Sequence, residues 1–328
     1  MLLNLKNTLR ATLALTLATA AAVSMAADPA KDYPNKPVRL IGPFTPGAGT
    51  DTTARLIAKS LSEQWNQQVV VDNRTGAAGA IGVDLTAKAQ PDGYTICLIS
   101  ASMHVNSATN PNLPYDLTRD LQGISQATSL FYVMYINPSV PAKTVQDLVN
   151  YAKANPNKLN YSSSGTGGLQ HLAGELFDYL AKTKMTHVPF KGTAAGVVAN
   201  LSGEVQVGFG TLFGVRPHML TNKLRGLAIT ASKRSPAVDL PTVAESGVPG
   251  YNVDQMYGII GSAKIPKPII NKINAGIVTA LKDPETVKKL VADGSNPVGS
   301  TPEAYTAVIR GEVDKWRKVA KAANLQLH

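Results

Sequence analysis

An α/β fold built mainly on parallel strands follows from three observations on this chain. Short apolar runs alternate with helical patterns along most of it, and glycine-rich turns join several of those runs to the helices. The one cysteine, Cys97, has no intramolecular partner, so burial and not disulfides must hold the fold. With 44% hydrophobic and 16% charged residues, the 328-residue chain is globular and long enough for two lobes.

The chain opens with Lys6 and Arg10 before an apolar run, Leu13 to Val23, that ends in Ser24-Met25-Ala26. This pattern predicts a signal peptide over 1–26, cut before Ala27 and too short for an ordinary membrane span. No cysteine follows the cut to take a lipid. Strands are expected at Val38 to Gly42, Gln68 to Asp72, Tyr94 to Ser100, Lys158 to Ser162, Thr186 to Phe190, Val205 to Phe209 and Leu224 to Thr230. Cys97 falls in the third, as a small buried residue.

The helix after the first strand carries Ala54, Ile57, Ala58, Leu61 and Trp65 on one face; a second carries Leu169, Leu172, Ala173, Leu176 and Leu180. Two stretches, Leu121 to Val133 and Gly247 to Pro268, are suited to crossing between lobes. C-terminal helices are expected near Pro268, Pro284 and Pro302, with Thr301 capping the last. That helix sets Tyr305, Val308, Ile309, Val313 and Trp316 on an apolar face, which leaves its lysines solvated. The net charge of +10 therefore describes a dispersed surface, with no nucleic-acid motif behind it.

Two loops carry the chemistry. In "PFTPGAGTD", Gly47 and Gly49 lead from a strand into a helix whose unpaired N–H groups and dipole attract an anion; Thr50 adds a hydroxyl, and Asp51 supports the loop or caps the helix. In "YSSSGTGGLQHLAGE", Ser162, Ser163, Ser164 and Thr166 stand beside Gly165, Gly167 and Gly168 before another helix, where hydroxyls and free amides are expected to converge. A third stretch, "NRTGAAGAIG", is explained equally well by close packing of a helix on the sheet. His171 shares a face with Glu175 and Asp178, which favours a surface position over a ligand contact.

Enzyme patterns fail letter by letter. A dinucleotide fingerprint needs glycine at Thr52 or at Gln170, and a nucleophile elbow around Ser163 needs glycine at Tyr161. His104, His171, His187, His218 and His328 show no metal-ligand spacing, so neither a metal nor a cofactor is expected. A secreted hydrolase using Ser163 or Ser164 stays as the alternative; it requires a general base near the hydroxyl, which the sequence does not reveal.

The ordered segments "YPNKPVRLIGPFTPGAGTD", "VVVDNRTGAAGAIG", "AKAQPDGYT", "YAKANPNKLNYSSSGTGGLQHLAGELF", "HVPFKGTAAGVVANLSGEV" and "KLRGLAITASKRSPAVDLPTVAESGVPGY" resemble the Bug, or tripartite tricarboxylate transporter, periplasmic substrate-binding proteins. The resemblance implies a two-lobed type II periplasmic-binding fold, with lobe 1 over 27–125 and 257–328 and lobe 2 over 126–256. It implies a monomer without cofactor that closes on a small carboxylate in the periplasm and delivers it to a membrane transporter, or serves a sensor as an adaptor. The residues implied at the ligand are Phe44, Pro46, Gly47, Ala48, Gly49 and Thr50 of the first loop, and Ser163 to Gly168 of the second. Ala101, Ser102, Lys191, Gly192, Thr193, Gly210, Thr211 and Tyr257 are expected to line the cleft too. Three departures bear on specificity: Ala48 stands for a frequent glycine, Gly210 for a bulkier or acidic residue, and Met256-Tyr257 for a frequent tryptophan. They point to a roomier pocket, to a ligand without an amino group, and to an aromatic dicarboxylate such as terephthalate held among Phe44, Phe190, Phe209 and Tyr257.

Overall fold

The computed structural model describes residues 29–44, 46, 49–190, 192–292 and 294–322. The signal segment expected over 1–26 lies outside them, as does His328. The first strand group contains β1 (Val38–Gly42), β2 (Val69–Asn73) and β3 (Thr95–Ser100), with β1 parallel to both neighbours. Helices α1 (Gly49–Trp65), α2 (Ala80–Ala87) and α3 (Ala101–Thr109) follow these strands. The expected stripe of α1 is in the core: Ala54, Ile57, Ala58 and Leu61 are buried, and Trp65 packs partly buried against them. Cys97 is fully buried in β3, which pushes its thiol up to about 12.

The 16-residue β4 (Leu121–Ile136) joins this group to the next. Past it come α4 (Val145–Ala154), β5 (Asn160–Ser163), α5 (Leu169–Ala181), β6 (Thr186–Pro189), α6 (Thr193–Ser202), β7 (Val207–Thr211), α7 (Leu212–Leu220) and β8 (Arg225–Ile229). β5 lies parallel between β6 and β7, and β4 runs antiparallel between β7 and β8. The chain returns through β9 (Asp254–Ser262), antiparallel to β3 and β4.

The two stretches expected as crossings thus hold most of β4 and all of β9; β9 runs against β3, and β4, which shares the sense of β3, runs against β7 and β8. A strand that carries the chain from one group into the other enters against its neighbours. Pairing of β4 changes partner group between Phe131, opposite Asp254 of β9, and Tyr132, opposite Thr211 of β7. The expected boundary 125/126 lies within the part of β4 that pairs with β9, and 256/257 lies within β9 itself.

Helices α8 (Lys267–Ala280), α9 (Pro284–Ala292) and α10 (Pro302–Ala322), with the short β10 (Asn296–Pro297) between the last two, cover the first group. Thr301 Oγ1 accepts the amide of Ala304 at 3.2 Å, the expected cap. Tyr305, Ile309, Val313 and Trp316 of α10 are buried, but Lys315 is not simply solvated: it pairs with Glu312 and lies over the Trp316 ring.

Tyr305 packs its ring onto Gly258, which sits at mid-sheet opposite Ile99 and Gln126. A side chain there has no room, so Gly258→Val is expected to cost at least about 1–3 kcal/mol by overpacking. A denaturant midpoint unchanged from the parent would show that the Tyr305 contact does not constrain the sheet.

Candidate functional site: a cavity closed by the loop before α5

Helix α5 starts where β5 ends, because Gly165 (φ 135°) and Gly167 (φ 78°) take backbone conformations that other residues avoid. Four amides of this loop have acceptors inside it. Ser164 N–H donates to Gln170 Oε1 at 2.9 Å, Gly165 N–H to Ser163 Oγ at 3.1 Å, Gly167 N–H to His171 Nδ1 at 3.1 Å and Gly168 N–H to Gly165 O at 3.3 Å. The free amides expected throughout this loop are therefore fewer: those of Thr166 and of the first helical turn remain for a ligand.

Across from it, Asn73 Nδ2 donates to Phe44 O at 3.1 Å and to Asp51 Oδ1 at 3.0 Å, and Arg55 Nε donates to Asp51 Oδ2 at 2.8 Å. Asp51 is buried, and these bonds tie the end of β1 to the first turn of α1. The Thr50 hydroxyl is buried and has no hydrogen-bond partner among the described residues.

A cavity of ≈ 640 Å³ lies between the two strand groups. Pro43 and Phe44 line it from β1, Thr75, Gly76, Ala77 and Gly79 from the turn before α2, and Ser102, Met103, Asn106, Thr109 and Asn110 from α3. Ser164, Gly165, Thr166, Gly167 and Gly168 close it from the second group. Among the described residues no charged side chain lines it. A second hollow of ≈ 470 Å³, between β4 and the loop 231–236, has Lys233, Arg234, Asp254 and Glu312 in its wall and no helix start.

The cavity thus gathers Phe44, Ser102 and Ser164 to Gly168 of the expected site. Gly47, Ala48 and Lys191 lie outside the described residues. Pro46 is exposed, and Gly49 opens α1. Ala101 is fully buried, its amide bound to Gln255 Oε1 at 3.2 Å. Gly192 (φ 95°) precedes α6, and Thr193 Oγ1 lies 3.4 Å from Gln170 Oε1. Thr211 caps α7 through Gly214 N–H.

Three expectations are corrected. The missing Cβ of Gly210 points at Val215 Cγ1, 2.7 Å away, and at Tyr135, so this glycine permits close packing and does not widen the cavity. Phe209 and Tyr257 are core residues, and of the four proposed aromatic flanks only Phe44 lines the cavity. His171 is buried, where its face had suggested the surface: its ring accepts from Gly167 and stacks on His187 at 3.8 Å.

Sequence reasoning missed Asn106 and Asn110, although Ser102, Asn106 and Asn110 follow one another at helical steps of four. It also named none of Thr75 to Ala77, in the stretch for which close packing was an equally good explanation. That packing is real, since a Cβ at Gly82 would meet Pro43 Cβ at 2.9 Å, yet Gly76 and Gly79 line the cavity as well. Gln170 went unnoticed because its partners are remote: it accepts from Ser164 and donates to Phe209 O, tying the loop to β7.

With this geometry in view, comparison with known proteins is decisive. The family model of the tripartite tricarboxylate transporter family receptor matches residues 53–325. The chain belongs to that receptor family. Protein BugT of Bordetella pertussis is 34% identical over 303 residues, 91% of this chain and 92% of BugT. An R. palustris protein solved with adipate superposes with a TM-score of 0.77 at 33% identity, covering 89% of this chain and 99% of the other. MatC from Rhodopseudomonas palustris, solved with bound malate, gives 0.74 at 28% identity over 88% and 99%. The fold is accordingly the two-lobed type II periplasmic-binding fold. Among the described residues no helix of this receptor is long and apolar enough to cross a membrane.

Burial holds His187 down at about 4, and the neighbouring His171 adds to the effect. Burial likewise holds His104 at about 3; that ring is fully buried, with neither nitrogen bonded among the described residues. Both folded values lie below the ordinary 6.5, so the unfolded chain binds more protons in between. The stability that neutral imidazoles contribute is complete above about 6.5 and is lost as pH falls toward 4. Thermal midpoints are expected to fall over that window, and His187→Gln to flatten part of the slope. An identical slope in the variant would remove His187 from this account.

Proposed function

We propose that this receptor captures a small organic carboxylate in the periplasm by closing its lobes, 27–125 with 257–328 against 126–256, and delivers it to a membrane transporter. The observation that carries the reading is the shared cavity, in which the end of β1 and the start of α5 face one another. A carboxylate has a single charge, which amides and hydroxyls can hold without a lysine. Relatives solved with adipate and malate support the ligand class.

The favoured ligand is an aromatic dicarboxylate such as terephthalate. Phe44 and Met103 offer an apolar wall, Ser164 and Thr166 polar groups from the α5 loop, and Thr75, Asn106 and Asn110 polar groups from the first group. The cavity volume is in the usual range for small-molecule sites. Attraction at a helix terminus is worth about 0.3–1 kcal/mol, rising to ~2 when partly buried. Micromolar affinity needs about 8 kcal/mol, so closure and apolar contact supply most of the rest. The receptor works as a monomer after removal of residues 1–26, and a sensor in place of a transporter would use the same site.

One contact favours the hydrolase reading: His187 Nε2 is 2.6 Å from Ser163 Oγ, a general base beside a hydroxyl. Ser163 is only 2% exposed, however, and does not line the cavity; its oxygen accepts from Gly165 N–H. The pair braces the loop, and the receptor is not an enzyme. Release of acid from carboxylic esters that disappeared in Ser163→Ala would reverse this assignment.

Calorimetry is expected to show binding of terephthalate and none of its diamide. Equal heats from the two would remove the electrostatic basis. Gly165→Val forces a side chain into φ 135°, a strain of about 1–3 kcal/mol, and should weaken binding at least tenfold in a protein that still folds. Parental affinity in that variant would clear the α5 loop of any role.

A further inference from the structure

Behind the α5 loop, away from the cavity, two imidazoles are stacked, with centroids 3.8 Å apart and planes 17° from parallel. One ring, on α5, accepts the Gly167 amide through His171 Nδ1. The other, on β6, holds Ser163 Oγ through His187 Nε2. A ring nitrogen that accepts cannot carry a proton, so His171 is neutral here, with its proton on Nε2. That nitrogen faces Glu175 Oε1 at 3.6 Å, which also accepts from the Tyr161 hydroxyl at 2.6 Å.

The groups around the pair come from three elements. Glu175 and Asp178 belong to α5; Asp178 is turned to Thr183 and to the Met185 amide. Tyr161, on β5, lies against both rings, and His187 is the contribution of β6. Burial raises the Glu175 carboxyl, but hydrogen bonds from His171 and Tyr161 outweigh it, and the group stays below its ordinary value. Two cations stacked at this distance repel, so a proton on one ring opposes a proton on the other.

We propose that His171 and His187 are positioning residues whose shared protonation state sets the affinity of the α5 loop, so that the receptor releases its carboxylate as pH falls. The inference rests on the carboxylate reading of the cavity. A proton on His171 Nδ1 places one donor against another, the Gly167 amide, and that bond is lost. Gly165 and Gly167 then let the backbone turn, and the amide of Thr166, between them, leaves its aim at the ligand. A positive charge near the cavity would by itself attract an anion and raise affinity at low pH. The two effects have opposite signs, and the loss of the loop's geometry dominates.

The test combines calorimetry with terephthalate between pH 8 and 5.5 and proton–nitrogen NMR of the ligand-free protein over the same range. Affinity is expected to weaken toward tenfold per pH unit below the midpoint, the slope for one linked proton. His171→Asn places an amide oxygen where Nδ1 accepts and cannot titrate; it should bind like the parent at pH 8 with a flatter profile. Because it sees the same ligand protonation, the difference belongs to the histidine. His171→Leu, without an acceptor, should bind more weakly at every pH. Parental affinity that is level or rises on acidification, or an Asn variant that keeps the full slope, overturns the proposal. Should terephthalate not bind at all, the carboxylate reading is what suffers, and NMR still decides the brace. A Gly167 amide that shifts at the same midpoint as the His171 ring supports it, and one indifferent to that titration overturns it.

Discussion

Everything in this molecule depends on one strand belonging to two sheets. β4 gives its first part to β9 and its last residues to β7 and β8, so its hydrogen bonds fix how the two groups are turned relative to each other. Each group then ends a parallel strand at a helix start, β1 at α1 and β5 at α5. Because the shared strand sets the groups side by side, the end of β1 and the loop before α5 share a cavity. Ligands in open α/β sheets bind beyond the carboxyl ends of strands for the same reason.

Positions on this frame are held by amides of side chains more than by charge. Gln170 spans from the α5 loop to β7, and Gln255 reaches from β9 to the first amide of α3 and lies 3.4 Å from the Tyr132 hydroxyl. Both glutamines are at least nine-tenths buried, and both connect segments far apart in sequence. A buried neutral amide satisfies donors and acceptors together without the desolvation cost of an ion. Several ion pairs, by contrast, are on exposed helix faces, where each contributes little.

What the sequence made legible follows from the range of the interactions involved. The stripes of α1, α5 and α10 could be read because period 3.6 is a local property, and most strands were placed within two residues for the same reason. The loop from Ser163 to Gly168 was legible as a helix start. Its internal bonding was not: His187 lies 24 residues from Ser163, and Phe209 lies 39 from Gln170. His171 looked like a surface residue because helical spacing shows which residues share a face, not what covers that face. Gly210 misled in a similar way, since a glycine in a string of letters does not say on which side its side chain is missing.

The internal bonding of the α5 loop has a bearing on the salts that surround such a receptor. A nest of many open amides would wrap chloride or sulfate as readily as an organic acid. Here Ser164, Gly165, Gly167 and Gly168 are already occupied, and only a narrow set of donors is left at the mouth of the helix. On the proposed carboxylate reading, what the loop withholds works against inorganic ions.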